Sequence, residues 1–342
     1  MRTTRKIWTA MAVAVAGLGI PLSGWPEAAA PAVPTPQPVA TGVWLISGGI
    51  LPNHEPDGNS VIFDAPAGLI VMDTGRHDWH ARAILALARE RKRDIVAIVN
   101  SHWHLDHVSG NPALRAAYPG LRVYASNAID GALSGFLPAS VKDSAPYLDD
   151  PTVPEETRAD MRLDLATIQR GSELRPDVVI NSSTVLSLGG RQFHIHLAPN
   201  AATNGDVWLF DPRSGVAALG DLVTLPAPFL DTACPEGWKS ALAKVSAAPF
   251  RIAIPGHGAP MQRPQFLLYR RSFESFIDCS RSDRPKESCA ADWAQAVRPL
   301  LSADPLEMRR AQSMSVYYVE LLRANSGRSK YCEARSDPKR DG

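Results

Sequence analysis

The succession of strand and helix patterns predicts an α/β fold in which two mixed sheets pack face to face with helices on the outside. Three observations carry this. Short apolar, β-branched stretches run in two series, each leading to an amphipathic helix and one more strand. The chain has 342 residues, 45% of them hydrophobic, which is enough to fill a large core between layers. Its polar side chains collect at the ends of strand patterns, where a rigid sheet presents loops.

In the first series, strand patterns at 42–46, 60–63 and 69–72 lead to a helix over 78–93 and a buried strand over 95–100. Helices starting at Asn111 and Asn127 flank a strand over 121–124. The second series runs 184–188, 191–197, 206–210 and 215–218, followed by a helix over 235–247 and a strand over 251–254. Between the series lies an insertion, 139–176, helical from about 155 to 170, which either shapes a substrate pocket or makes a solvated excursion. A C-terminal extension, 263–335, carries helical patterns at 265–277, 289–302 and 304–324, and residues 336–342 form a polar tail. The domain is therefore expected over 42–335 as one unit with additions.

The N-terminus has the pattern of a secretory leader. Arg2, Arg5 and Lys6 precede an apolar run over 7–20, and Ala30-Pro31-Ala32 offers a cleavage site, with Ala28 to Ala30 as a rival. This predicts a signal peptide over 1–32 and a Pro/Ala-rich linker over 33–41, with a retained anchor as the alternative. The mature chain would then be periplasmic or secreted, without a stable membrane anchor. Four cysteines in an exported chain suggest two disulfides. Of three formal pairings, Cys279 with Cys289 closes a polar, turn-rich segment and leaves Cys234 for Cys332.

With 36 basic and 35 acidic residues, the chain shows no electrostatic bias toward nucleic acid or acidic membranes. A small-molecule substrate is the expected partner, and oligomeric state cannot be read.

The chemistry concentrates in His102-Trp103-His104-Leu105-Asp106-His107, directly after the strand at 95–100. Three imidazoles and a carboxylate in one turn have no reason to gather except to hold metal. His102 and His104 can address one ion, and Asp106 and His107 a second one nearby. The donor set suits Zn²⁺, with iron and Mn²⁺ as alternatives. Cysteine is absent from the cluster, which argues against a closed structural zinc site. His54, in the loop over 51–58, lines the expected cleft but needs no role there, and His77 and His80 are expected to pack.

Residues 101–111, SHWHLDHVSGN, resemble the signature of the metallo-β-lactamase superfamily. Val71-Met-Asp73-Thr-Gly75, Leu219-Gly-Asp221 and Ile254-Pro-Gly-His257-Gly resemble its other landmarks, in order, so the likeness covers about Gly42 to Gln265. The resemblance implies an αββα sandwich with metals at the sheet edge. It adds Asp221, bridging two metals, and His257, a ligand of the second. One landmark departs: where the family carries a histidine for the first metal, this chain reads Ala202-Thr203-Asn204-Gly205-Asp206. The first position is left with His102, His104 and Asp221, and the second with Asp106, His107, His257 and Asp221. One firmly held ion at the second position is expected, with the first partly filled. His194 and His196, two apart on a strand, are candidates to compensate, although satisfied strand histidines are the default; Asn200 and Thr203 are weaker candidates.

The resemblance further implies an exported metal-dependent hydrolase that uses an activated water on a small ester, lactone, thioester or lactam. Asp221 would position the nucleophile and Asp106 would hold the leaving group's proton, while Trp103 and Leu105 pack the loop. An iron-dependent oxidoreductase of the same fold and a non-catalytic metal-binding protein are the alternatives.

Overall fold

A computed structural model describes residues 32–332. The first half comprises β1 (Gln37–Ala40), β2 (Val43–Ile46), β3 (Ser60–Ala65), β4 (Gly68–Met72), α1 (Asp78–Arg91), β5 (Ile95–Val99), α2 (Leu105–Val108) and α3 (Asn111–Ala117). It continues with β6 (Arg122–Ala125), α4 (Ala128–Ser134), α5 (Phe136–Ser144), α6 (Glu155–Gln169) and β7 (Val178–Val179). The second comprises β8 (Thr184–Leu188), β9 (Arg191–Ala198), β10 (Asp206–Asp211), β11 (Val216–Ala218), α7 (Pro235–Ala247), β12 (Ile252–Ile254) and β13 (Met261–Gln262). The extension forms α8 (Arg263–Ser280), α9 (Lys286–Val297) and α10 (Pro305–Ala324).

Both sheets are mixed. The first orders its strands β1 to β7 consecutively, antiparallel up to β4 and parallel from β4 onward. The second runs β13-β12-β11-β10-β9-β8, with β11 and β12 as its parallel pair. Period-two alternation sorts each strand between layers. Val61, Phe63, Ile70 and Met72 meet Phe193, Ile195, Val207 and Leu209 between the sheets. Ile62, Leu69 and Val71 turn outward onto Ile84 and Leu87 of α1, and Trp208 and Phe210 turn outward to a core shared with Trp238, Phe266 and Trp293 of the later helices. The result is helix, sheet, sheet, helix, as the element order predicts.

Buried Arg191 also ties the sheets: its guanidinium pairs with Asp211 of its own sheet and donates to the carbonyls of Gly42 (3.1 Å) and Asp64 (2.7 Å) in the other.

The linker expected over 33–41 needs correction, because residues 37–40 form β1. Val39 and Ala40 pack partly buried on the inter-sheet core. Pro38 is tolerated because β1 is an edge strand, where a missing N–H costs no ladder bond. The expected leader, apart from residue 32, and the tail at 336–342 lie outside the described residues. Both expected disulfides are present, Cys234–Cys332 and Cys279–Cys289, with Cα atoms 5.2 and 5.7 Å apart.

Candidate metal centre

The centre lies where strands from both sheets end. β4 is followed directly by Asp73, whose backbone is left-handed (φ 61°) and whose side chain is buried. Its Oδ1 accepts from the Ser101 N–H (2.7 Å), and its Oδ2 accepts from the Ser101 hydroxyl (2.6 Å) and from His107 Nδ1 (2.9 Å). β5 ends just before Asn100, and the single turn of α2 then sets Asp106 and His107 side by side. The Thr74 N–H donates to the His107 carbonyl (2.8 Å) and the Gly58 N–H to that of Asp106 (3.0 Å), clamping this turn from two neighbouring loops.

The second sheet supplies the other side. Parallel pairing of β11 and β12 brings the loops after them together, so Gly220-Asp221 and Gly256-His257 meet, with the Gly256 N–H bonded to the Gly220 carbonyl (2.7 Å). Close approach explains these glycines. A Cβ on Gly256 would stand 2.0 Å from Asp221 Oδ1, and one on Gly58 2.4 Å from His107 Cε1.

The donor atoms fall into two overlapping groups of three that share His107: Asp106, His107 and His257, and His102, His107 and Asp221. His107 Nε2 lies 3.5 Å from Asp106 Oδ2, 3.3 Å from His257 Nε2 and 3.2 Å from Asp221 Oδ1. His257 Nε2 lies 2.9 Å from Asp106 Oδ2 and 3.5 Å from Asp221 Oδ1. Ligation with bonds of about 2.1 Å requires donor-to-donor edges of about 3.4 Å, so the separations among Asp106, His107 and His257 suit one zinc-sized ion, while Asp221 groups instead with His102 and His107. His102 joins from the side, its Nε2 3.7 Å from Asp221 Oδ2.

The donors are also electronically ready. His107 donates its Nδ1 proton to Asp73, so Nε2 is the atom that would release its proton to bind an ion, the carboxylate–histidine arrangement typical of metal ligands. Ser101 has spent its hydroxyl proton on Asp73 and therefore accepts from His102 Nδ1 (2.9 Å), which exposes His102 Nε2. His102 Nε2 and Asp221 Oδ1 are buried without a hydrogen-bond partner, which a bound cation would supply.

Charge follows the same geometry. Burial works against the charged form of His107, but the carboxylates of Asp221, Asp106 and Asp73 outweigh it and raise the imidazole well above its ordinary range. Burial and the neighbouring His107 and His104 push His102 well below that range. Burial would raise Asp106, yet His107 and His257 hold its carboxyl well below the usual value.

His104 is not among the groups of donors the fold gathers. Its Nε2 lies 3.1 Å from the Thr232 hydroxyl, which donates to the carbonyl of Ala202 (2.8 Å) and so accepts from the imidazole. Ala202 is fully buried, and no histidine takes its place. His194 and His196 lie on the outer face of β9, His196 stacked on Trp208 at 3.8 Å and His194 edge-on to Phe210, so neither reaches the cluster. The Thr203 hydroxyl is engaged with Asp206 (3.2 Å), and Asn200 occupies a left-handed turn (φ 57°). Trp103 and Leu105 are buried in the packing beneath the loop, as expected.

Several functional neighbours leave no local trace in the sequence. Arg76 pairs with Asp164 of α6 and brings a guanidinium nitrogen 4.0 Å from Asp106 Oδ1. Thr232 meets His104 from 128 residues away. Half-buried Phe136 and Phe229 face His104, with ring centroids 6.5 and 5.0 Å from it, and give this side of the centre an apolar wall. The one signal that could have found any of them is the position of Arg76, directly after the Asp73-Thr-Gly75 turn.

A family model for the metallo-beta-lactamase superfamily matches residues 55–259. A hydroxyacylglutathione hydrolase from Gloeobacter violaceus is 46% identical over 55 residues, 16% of this chain and 22% of that protein. A linear primary-alkylsulfatase from Pseudomonas sp. is 25% identical over 224 residues, 58% of this chain and 41% of that one. The chain thus spans less than half the length of either relative. Among solved structures, a stereoselective inverting sec-alkylsulfatase from Pseudomonas sp. aligns with a TM-score of 0.58 at 17% identity, over 84% of this chain and 50% of that one. A metallo-beta-lactamase from Pontibacter korlensis aligns with a TM-score of 0.50 at 17% identity, over 68% and 95%. At these identities the structural likeness speaks for the fold.

Proposed function

The chain belongs to the metallo-beta-lactamase superfamily, and we propose that it is an exported metal-dependent hydrolase of a small ester, lactone, thioester or lactam. The observation that carries this is the pair of adjoining donor groups, Asp106, His107 and His257 beside His102, His107 and Asp221, with buried Asp221 Oδ1 left for a cation. The donors suit Zn²⁺ first and iron or Mn²⁺ next. When bound, such an ion supplies Lewis acidity toward a substrate oxygen and acidifies a water.

The chain's own residues do the rest. Asp73 keeps a proton on His107 Nδ1, directly, and on His102 Nδ1, through Ser101, so that both rings present Nε2. Asp221 faces His107, His257 and His102 at once and orients whatever lies between them. The transfer of the leaving group's proton is assigned to Asp106, whose carboxylate, kept ionised by His107, His257 and Arg76, can pass a proton on without storing it. Phe136 and Phe229 would receive an apolar portion of the substrate. The two sequence relatives, a hydroxyacylglutathione hydrolase and an alkylsulfatase, support bond cleavage at an ester-like centre and add sulfate esters to the panel worth testing. The two disulfides support an oxidising compartment, which cell fractionation tests directly.

The decisive experiment screens those esters with Zn²⁺, Mn²⁺ and Fe²⁺ supplied. Turnover that a chelator removes, and that Asp106→Ala abolishes, is the expected result. Protein purified without bound transition metal, or turnover surviving Asp106→Ala, would overturn the assignment. One observation favours a non-catalytic metal-binding protein, namely Ala202 and the engagement of His104 with Thr232. Wild type without turnover, gaining it through Ala202→His, would support that reading.

A further inference from the structure

A second group of donors lies beyond Arg76. His54 sits in the loop between β2 and β3, His77 precedes α1, and Asp160 lies on α6. His54 Nδ1 is 3.2 and 3.1 Å from the two Asp160 oxygens, and His77 Nε2 is 3.2 Å from Asp160 Oδ1. One ligand atom from each residue falls within 4.8 Å of the other two.

His77 is prepared as the metal-centre histidines are. Its Nδ1 bonds Asp57 Oδ2 at 2.8 Å, and Trp79 lies flat against the ring at 4.0 Å while donating its indole N–H to the same oxygen (3.1 Å). The ring plane is thereby set, with a proton on Nδ1 and Nε2 facing Asp160; burial opposes the charged ring, but Asp160 and Asp57 outweigh it and push His77 up to about 9, so Nε2 is a position for a positive charge. His77 is only 3% exposed, yet Nε2 makes no hydrogen bond. A bare Nε2 lone pair facing a carboxylate oxygen inside a protein is repulsive, and either a second ring proton or a metal cation at that position removes the conflict.

We propose that His54, His77 and Asp160 form a further divalent-cation site for one zinc-class ion, separate from the metal centre, with Asp57 orienting His77. Imidazole and carboxylate donors select Zn²⁺ over Mg²⁺ or Ca²⁺, and three protein donors leave a fourth position for water. The site ties three segments together. Asp160 already accepts from the Glu55 N–H (2.7 Å), and Thr157 of α6 donates to the Asn53 carbonyl (2.7 Å). An ion there would fasten the insertion helix to the loop at 51–58 and to the start of α1, next to Arg76 and the catalytic ligands.

The competing occupant is a proton on His77, and metal counting separates the two. Protein saturated with Zn²⁺ and desalted is analysed by mass spectrometry as wild type, His54→Gln, Asp106→Asn and the double variant. His54→Gln should hold one equivalent less than wild type, and Asp106→Asn should keep that equivalent until His54→Gln is added. The zinc-dependent rise in melting temperature of Asp106→Asn should vanish in the double variant. Equal metal content in His54→Gln and wild type would overturn the site. Independently of any variant, crystals grown with Zn²⁺ should show anomalous density between His54, His77 and Asp160, and an empty position there at saturating zinc would overturn it as well.

Discussion

Asp73 governs two imidazoles without facing the ion itself, so its replacement should weaken metal binding while leaving every donor in place. Asp73→Asn removes the carboxylate that accepts the His107 and Ser101 protons. A fall of about 10–100-fold in Zn²⁺ affinity is expected, read by competition with a chromophoric chelator. Unchanged affinity would show that the two rings do not depend on Asp73. Gly58→Ala probes the same point sterically, because its Cβ would lie 2.4 Å from His107 Cε1. Turnover should drop by roughly tenfold or more with an unaltered circular dichroism spectrum, since a small misplacement of catalytic groups is costly. At this scale the sequence was informative where ligands are neighbours in the chain, as at 102–107. Asp221 and His257 stood out only through family likeness, because isolated Gly-Asp and Gly-His pairs usually mark turns. Thr232 and Asp164 left no signal, since their partners are far along the chain.

Among the elements, α10 of the extension docks onto the segment after β11 through Tyr317, whose hydroxyl donates to Asp231 at 2.7 Å. Burial pushes the Asp231 carboxyl up to about 6, and hydrogen bonds from Tyr317 and Tyr318 only partly offset this. The folded state therefore binds this proton more tightly than the unfolded chain, so the stabilisation is present below about pH 4 and is lost as pH rises toward 6. The loss at pH 7 is on the order of 2–3 kcal/mol. Asp231→Asn should flatten that part of the stability profile, measured as urea midpoints between pH 4 and 7; an unchanged profile would show that Asp231 does not carry it. Extension helices such as α8 and α10 were legible because their apolar faces repeat over several turns. β7 and β13 were not, since two residues cannot display a period, and prolines at 34, 36 and 38 disguised β1 as a linker.

For the whole molecule, the two disulfides differ in reach. Cys234–Cys332 spans 98 residues and Cys279–Cys289 spans 10. In the chain-entropy account, the long bridge contributes about 4–5 kcal/mol and the short one about 3. Replacing both cysteines of each pair by serine and comparing guanidinium unfolding should rank them in that order, and a reversed ranking would count against loop length as the cause. Both pairings were legible because one pair could close locally and only two cysteines then remained.

The metal donors come from segments as distant as the bridged cysteines. Asp106 and His107 belong to one half, and Asp221 and His257 to the other. An ion in either donor group is thus held from both halves, a clasp across the seam between the sheets that a chelator opens and a reductant leaves alone. Either half alone holds only part of the clasp. Zinc retention would then be a certificate that both halves have closed, and a metal-starved cell would release molecules whose seam is held by packing alone.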